Sequence, residues 1–200
     1  MNRKFFDWLI ITLLLITVGN SVWAEPQNTV VIEYKTSSAG SYNLSAYGYL
    51  KHNLVFNVID LSTANPYLLT GYYTKLGSIA AEVEAGPVFS QEKGRIGAWA
   101  LDMAISGSPI KDAKVLCVLE LAKSLKNQDW LFSKLVVSYK TIGIVTTIYK
   151  PEGNRAVIKS GPFVCWNWGN YDALTINWPY NFSDKRPNSL CFKYTKKTTF

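Results

Sequence analysis

The chain lacks most of the residues that hydrolytic and metal chemistry depends on. Its 200 residues hold one histidine, His52, which excludes a His-rich metal site and leaves no material for a zinc hydrolase. Charged residues reach only 18% against 48% hydrophobic, a balance that does not produce intrinsic disorder. The three cysteines, Cys117, Cys165 and Cys191, are an odd number without CxxC spacing, so at most one internal disulfide forms and no paired-thiol metal or redox motif exists. No GxSxG nucleophile elbow occurs. Beyond residue 24 no apolar run approaches the ~18 residues of a membrane-spanning helix, so a deeper membrane role must use strands. No Pro- or Gly-rich linker and no repeat divides the chain, and neither a metal nor a cofactor is expected.

What is present begins with an export pattern. Arg3 and Lys4 precede a short apolar run from Trp8 to Val18, and Val22-Trp23-Ala24 supplies small or apolar residues for cleavage after Ala24. That run, about eleven residues, is too short for the ~20 a helix needs to cross a bilayer. Residues 1–24 are therefore expected to be a signal peptide and 25–200 a single β domain. Removing Arg3, Lys4 and Asp7 changes the net charge from +7 to +6. Basic residues are scattered, with the densest groups at Lys185-Arg186 and Lys196-Lys197, and export conflicts with a nucleic-acid partner.

Period-two alternation dominates after residue 28. Tyr42, Leu44, Ala46, Gly48 and Leu50 oppose Ser41, Asn43, Ser45, Tyr47 and Tyr49. Ile79, Ala81, Val83, Ala85 and Phe89 alternate with Glu82 and Glu84, while Trp99, Leu101, Met103 and Ile105 alternate with Ala98, Ala100, Asp102 and Ala104. Leu174, Ile176, Trp178, Tyr180 and Phe182 oppose Thr175, Asn177 and Asn181, which reads as one continuous strand. Turn-forming clusters punctuate these runs and give an all-β antiparallel meander of about ten to twelve strands. One segment is ambiguous. Val115, Leu116, Val118, Leu119, Ala122 and Leu125 also fall at helical spacing with Asp112 as a cap, so a short helix over 110–125 stands beside the strand reading.

Alternation fits both a soluble β-sandwich or barrel, apolar inside, and a membrane barrel, apolar outside. Three features favour the membrane form. Connections alternate between roomier and tighter, and Tyr67, Tyr72, Tyr73, Trp130, Trp166, Trp168 and Trp178 stand near strand ends, where amphipathic rings suit an interface. The chain also ends on Phe200 after Leu190, Phe192 and Tyr194 at the same parity. With its signal-like start, amphipathic meander and terminal aromatic, the chain resembles small bacterial outer-membrane β-barrels. That resemblance implies a closed up-and-down barrel in outer-membrane lipid with a structural or small-solute passage role. Lys196 and Thr198 depart from it, because they share the parity of Phe200 where such barrels place apolar residues. A lipid-facing lysine costs roughly 2–4 kcal/mol at the midplane and little at an interface, to which Lys196 can snorkel.

Asn43, Ser45, Glu82, Glu84, Asp102 and Asn177 are the residues expected to line a lumen or face a ligand. Glu82 and Glu84, roughly 6.5–7 Å apart on one strand face, have a spacing compatible with acid and base catalysis, but solvation or pairing with Lys and Arg in a polar lumen accounts for them more simply. His52 with Asp60 or a serine would be the base of a lipid-modifying enzyme, a third reading unsupported by any accompanying motif. The soluble alternative, a periplasmic or secreted domain binding a ligand or protein partner, permits a Cys165–Cys191 disulfide across a sandwich core. A barrel leaves these two unbridged, since one strand separates them by roughly 9–10 Å and a disulfide needs Cα atoms about 4.4–6.8 Å apart.

Overall fold

A computed structural model describes residues 28–59, 66–90, 95–125, 129–168 and 172–199. The expected signal peptide, Asp60 and Phe200 lie outside these residues. The strands are β1 (Thr29–Ser37), β2 (Tyr42–Leu50), β3 (Leu54–Ile59), β4 (Tyr67–Leu76), β5 (Ile79–Ser90), β6 (Arg95–Gly107) and β7 (Ala113–Ser124). They continue as β8 (Trp130–Tyr139), β9 (Ile142–Pro151), β10 (Val157–Trp168), β11 (Asp172–Asn177), β12 (Tyr180–Asn181), β13 (Arg186–Pro187) and β14 (Cys191–Thr199). Each strand from β1 to β10 pairs antiparallel with the next. β10 then pairs β11, β11 pairs β14, and β14 returns to β1, which closes a barrel of 12 strands. Closure leaves the twelve wall strands without a free edge among the described residues, apart from the short β12–β13 ribbon, and a single ring replaces the two stacked sheets of the sandwich alternative.

The segment read as a possible helix is strand β7. Residues from Ala98–Gly107 of β6 and Trp130–Tyr139 of β8 pair with it on its two sides, so its backbone polar groups find partners in both ladders. Its helical spacing is a coincidence of composition: both faces carry apolar residues, Leu116 and Val118 inward, Leu119 and Leu121 outward, which masks the period of two.

The run from Leu174 to Phe182 is not one strand. Pro179 lacks an N–H and interrupts the ladder. β11 stops at Asn177, and β12 and β13 form a two-residue ribbon beside β10. Asn181 organises the turn after the break: its Oδ1 accepts from the Ser183 N–H at 3.0 Å, and its Nδ2 donates to Asp184 Oδ2 at 2.8 Å.

Successive side chains point to opposite sides of the wall, and the register fixes which side is which. Ile32, Leu44, Leu54, Leu68, Trp99, Ile105, Leu135, Val137, Ile144, Trp166 and Phe182 are exposed on the outside. The inner wall carries charge and hydroxyls, the reverse of a water-soluble β domain. Two inward glycines on neighbouring strands let β4 and β5 approach each other. A Cβ on Gly71 would overlap the Val83 carbonyl, and one on Gly86 the Leu68 carbonyl. Pro87 lies beside this contact, where the β4–β5 ladder skips between the pairs Tyr67–Val88 and Thr70–Ala85.

Candidate functional site: the barrel lumen

The inner wall encloses a cavity of about 780 Å³. A second space of about 540 Å³ adjoins it toward Thr29 and Thr199, sharing Tyr47, Tyr49, Tyr73 and Glu82 as lining. The sequence pattern explains the chemistry: inward parity selects Glu33 and Lys35 from β1, Ser45, Tyr47 and Tyr49 from β2, and Glu82 and Glu84 from β5. It likewise selects Asp102 from β6, Glu120 from β7, Lys134 from β8 and Lys193 from β14.

Four of the five carboxylates in the lining, all but Glu33, cluster on one wall, with Lys75 of β4 and Lys114 of β7 lining the cavity on the same side. Glu84 of β5 stands directly across from Asp102 of β6, and Asp102 directly across from Glu120 of β7, so three carboxylates form one row with Glu82 beside it. Aromatic donors hold its ends. Tyr49 donates its hydroxyl to Glu82 Oε1 at 2.6 Å, while the Trp130 indole N–H at 2.8 Å and the Tyr67 hydroxyl at 3.2 Å both donate to Glu120 Oε1. The centre of the row is different: Glu84 is only 4% exposed, and its Oε2 and the Asp102 Oδ1 accept no hydrogen bond.

In the ring, β14 stands six strands from β6 in either direction, so the β14–β1 wall faces the carboxylate row. There Glu33 gathers the lysines: Lys193 Nζ lies 2.7 Å from its Oε1 and Lys35 Nζ 3.4 Å from its Oε2. Lys134 lies within electrostatic reach of Lys193, Lys35, Glu33 and Asp102 but forms no ion pair among the described residues. On the side of the row toward the β4 start, Leu69, Val88, Ala98, Ala100 and Ala122 form a buried apolar cluster against which Tyr67 and Trp130 pack. This cluster places apolar surface on the inner wall beside the carboxylates.

Of the residues expected to face the lumen, Ser45, Glu82, Glu84 and Asp102 line the cavity. Asn43 and Asn177 have inward parity, opposite Lys35 and Cys191 respectively, but stand outside the cavity lining. Glu33, Lys35, Glu120, Lys134 and Lys193 escaped the sequence reading. Their signal was parity within strands whose faces were not separated there, and Glu120 fell in the segment of ambiguous period. The aromatic reading needs correction. Tyr67, Tyr73 and Trp130 point into the lumen, whereas Tyr72, Trp166 and Trp178 are exposed. His52 occupies the tight turn after β2 at φ 63°, apart from the cavity lining. All three cysteines are free, and β11 stands between Cys165 of β10 and Cys191 of β14.

No protein-family model and no curated protein matches the sequence. Solved structures do match the fold. The KdgM porin aligns with a TM-score of 0.56 at 8% identity, covering 86% of this chain and 99% of that one. The NanC porin, in a rhombohedral crystal form, gives 0.55 at 10% identity with the same coverage. The KdgM porin in complex with disordered oligogalacturonate gives 0.54 at 8%, again over 86% of this chain and 99% of that one. At these identities the likeness is one of fold: a closed antiparallel barrel of 12 strands.

Proposed function

We propose that this chain is an outer-membrane β-barrel through which small solutes pass, with residues 1–24 an export signal and 25–200 the barrel domain. The observation that carries the reading is reversed polarity. Large apolar residues cover the outside, and a closed wall surrounds a charged cavity of about 780 Å³. A water-soluble monomer rarely exposes one continuous apolar patch beyond a few hundred Å², while a lipid-facing belt requires a large one. The fold shared with two porins supports the same reading. Twelve strands enclose more space than an eight-stranded barrel filled by side chains and less than a wide channel of 16 strands. Ser45, Glu82, Glu84 and Asp102 then line the route, with Asn43 and Asn177 on the same inner face.

Two measurements test this. The mature protein should fractionate with outer membranes and migrate differently on a gel before and after heating. The detergent-refolded barrel should produce discrete conductance steps in a planar bilayer. Recovery from the soluble periplasm without detergent, with unchanged mobility on heating, contradicts the membrane assignment. A folded, membrane-inserted barrel without conductance contradicts the passage role.

A further inference from the structure

Besides Asn177 Oδ1 near the β11–β14 pairing, two neighbouring carboxylate oxygens on the inner wall lack a partner. Glu84 Oε2 and Asp102 Oδ1 are shut off from solvent and receive no hydrogen bond, and Glu84 as a whole is 4% exposed. A carboxylate oxygen buried in this way is unfavourable unless a donor reaches it. The two residues are direct cross-strand partners, so their side chains leave the wall side by side, about 5 Å apart at Cβ. The nearby aromatic donors are already committed, Tyr49 to Glu82, and Tyr67 and Trp130 to Glu120. Lys35 and Lys193 are held by Glu33, while Lys134, which reaches Asp102 electrostatically, bonds neither of the two acceptors.

The chemistry of the missing partner follows. A partner with positive charge and several N–H donors satisfies two ionised acceptors on adjacent strands together. Among the described residues no three His, Cys, Asp or Glu side chains converge to hold a metal ion, and the aromatic rings beside the pair suit an organic cation. The cavity of about 780 Å³ has room for one, and aromatic walls stand beside the row, with the Tyr49 and Tyr73 rings 5.0 Å apart and Tyr67 and Trp130 6.4 Å apart. Ring faces attract ammonium and guanidinium groups. We propose that Glu84 and Asp102 form a binding site for the ammonium or guanidinium group of a solute, so that amine-bearing small molecules are the class that the lumen selects. This rests on the passage reading and adds the solute class to it.

The test uses n-butylammonium chloride as the probe and the full barrel refolded in micelles. The Trp130 indole N–H, bonded to Glu120 beside Asp102, reports on the site by NMR and is assigned by its loss in Trp130→Phe. A saturable shift is expected, with apparent affinity weakened at least tenfold in Glu84→Gln/Asp102→Asn, while sodium butyrate leaves the resonance in place. Heat-dependent gel mobility verifies that the variant folds, and Glu84→Gln alone serves if the double variant does not. No saturable shift, equal affinity in the folded variant, or an equal response to butyrate overturns the proposal. Because this readout needs no current, binding without conductance would overturn the passage role and leave the cation site standing. Conductance without binding would do the opposite.

Discussion

Asp129 shows how a single residue ties the chain before β8 to the end of β7. Lys123 Nζ donates to its Oδ2 at 2.6 Å and the Ser124 N–H to its Oδ1 at 2.9 Å, and these bonds hold the carboxyl below its usual value of 3.8. A group whose folded value is depressed adds stability above its unfolded value and loses it as pH falls through the lowered one. Carboxyl NMR in micelles should therefore show Asp129 titrating below 3.8, with its bonds to Lys123 and the Ser124 N–H weakening only as pH falls through that lowered midpoint. A midpoint at or above the usual value contradicts the clasp. At this scale the sequence was partly legible. Glu82, Glu84 and Asp102 stood out because each interrupts an apolar-rich strand at one parity. Glu33 and Lys193 did not, because their meaning is an ion pair across 160 positions, and no local pattern encodes a partner that far along the chain.

Strand elements were more legible than the contacts between them, since period two is a local property of the sequence. It failed where both faces are apolar, at β7, and where a proline broke an otherwise regular run, at Trp178-Pro179. The outward parity of each strand has a depth-dependent energetic consequence. Leu135 lies in the middle of β8 and is 42% exposed on the outside, whereas Ile142 opens β9 at the rim. Leu135→Arg should destabilise the barrel by about 2–4 kcal/mol and Ile142→Arg by about 0–1 kcal/mol. Reversible denaturant unfolding in phospholipid vesicles measures both. Equal costs at the two positions contradict the assigned depth, and no cost at Leu135 contradicts its lipid-facing side. Lys196 departs from this outer face: it lies across from Asp172, the first residue of β11, on one side and from Ile32 of β1 on the other, and its long side chain snorkels toward the interface to lower the cost.

For the whole molecule, ring order is the property that sequence alone could not supply, because the same alternating strings also build a sandwich. Ring order decides the thiols: with β11 between β10 and β14, alkylation before non-reducing mass spectrometry should find Cys117, Cys165 and Cys191 all free, and a Cys165–Cys191 link contradicts the order. The seam where β14 meets β1 has a kinetic consequence. It joins residues as distant as Glu33 and Lys193, and pairings of such separation form slowly because most of the chain must be ordered first. Until the seam zips, β1 and β14 are open edges, each a row of free N–H and C=O groups able to template another unfinished chain. Lys35, Lys193, Lys196 and Lys197 lie on those two strands. Their like charges repel a second copy approaching edge to edge, so the lysines of β14, Lys196 among them, guard the interval before closure, when the molecule is most exposed to aggregation.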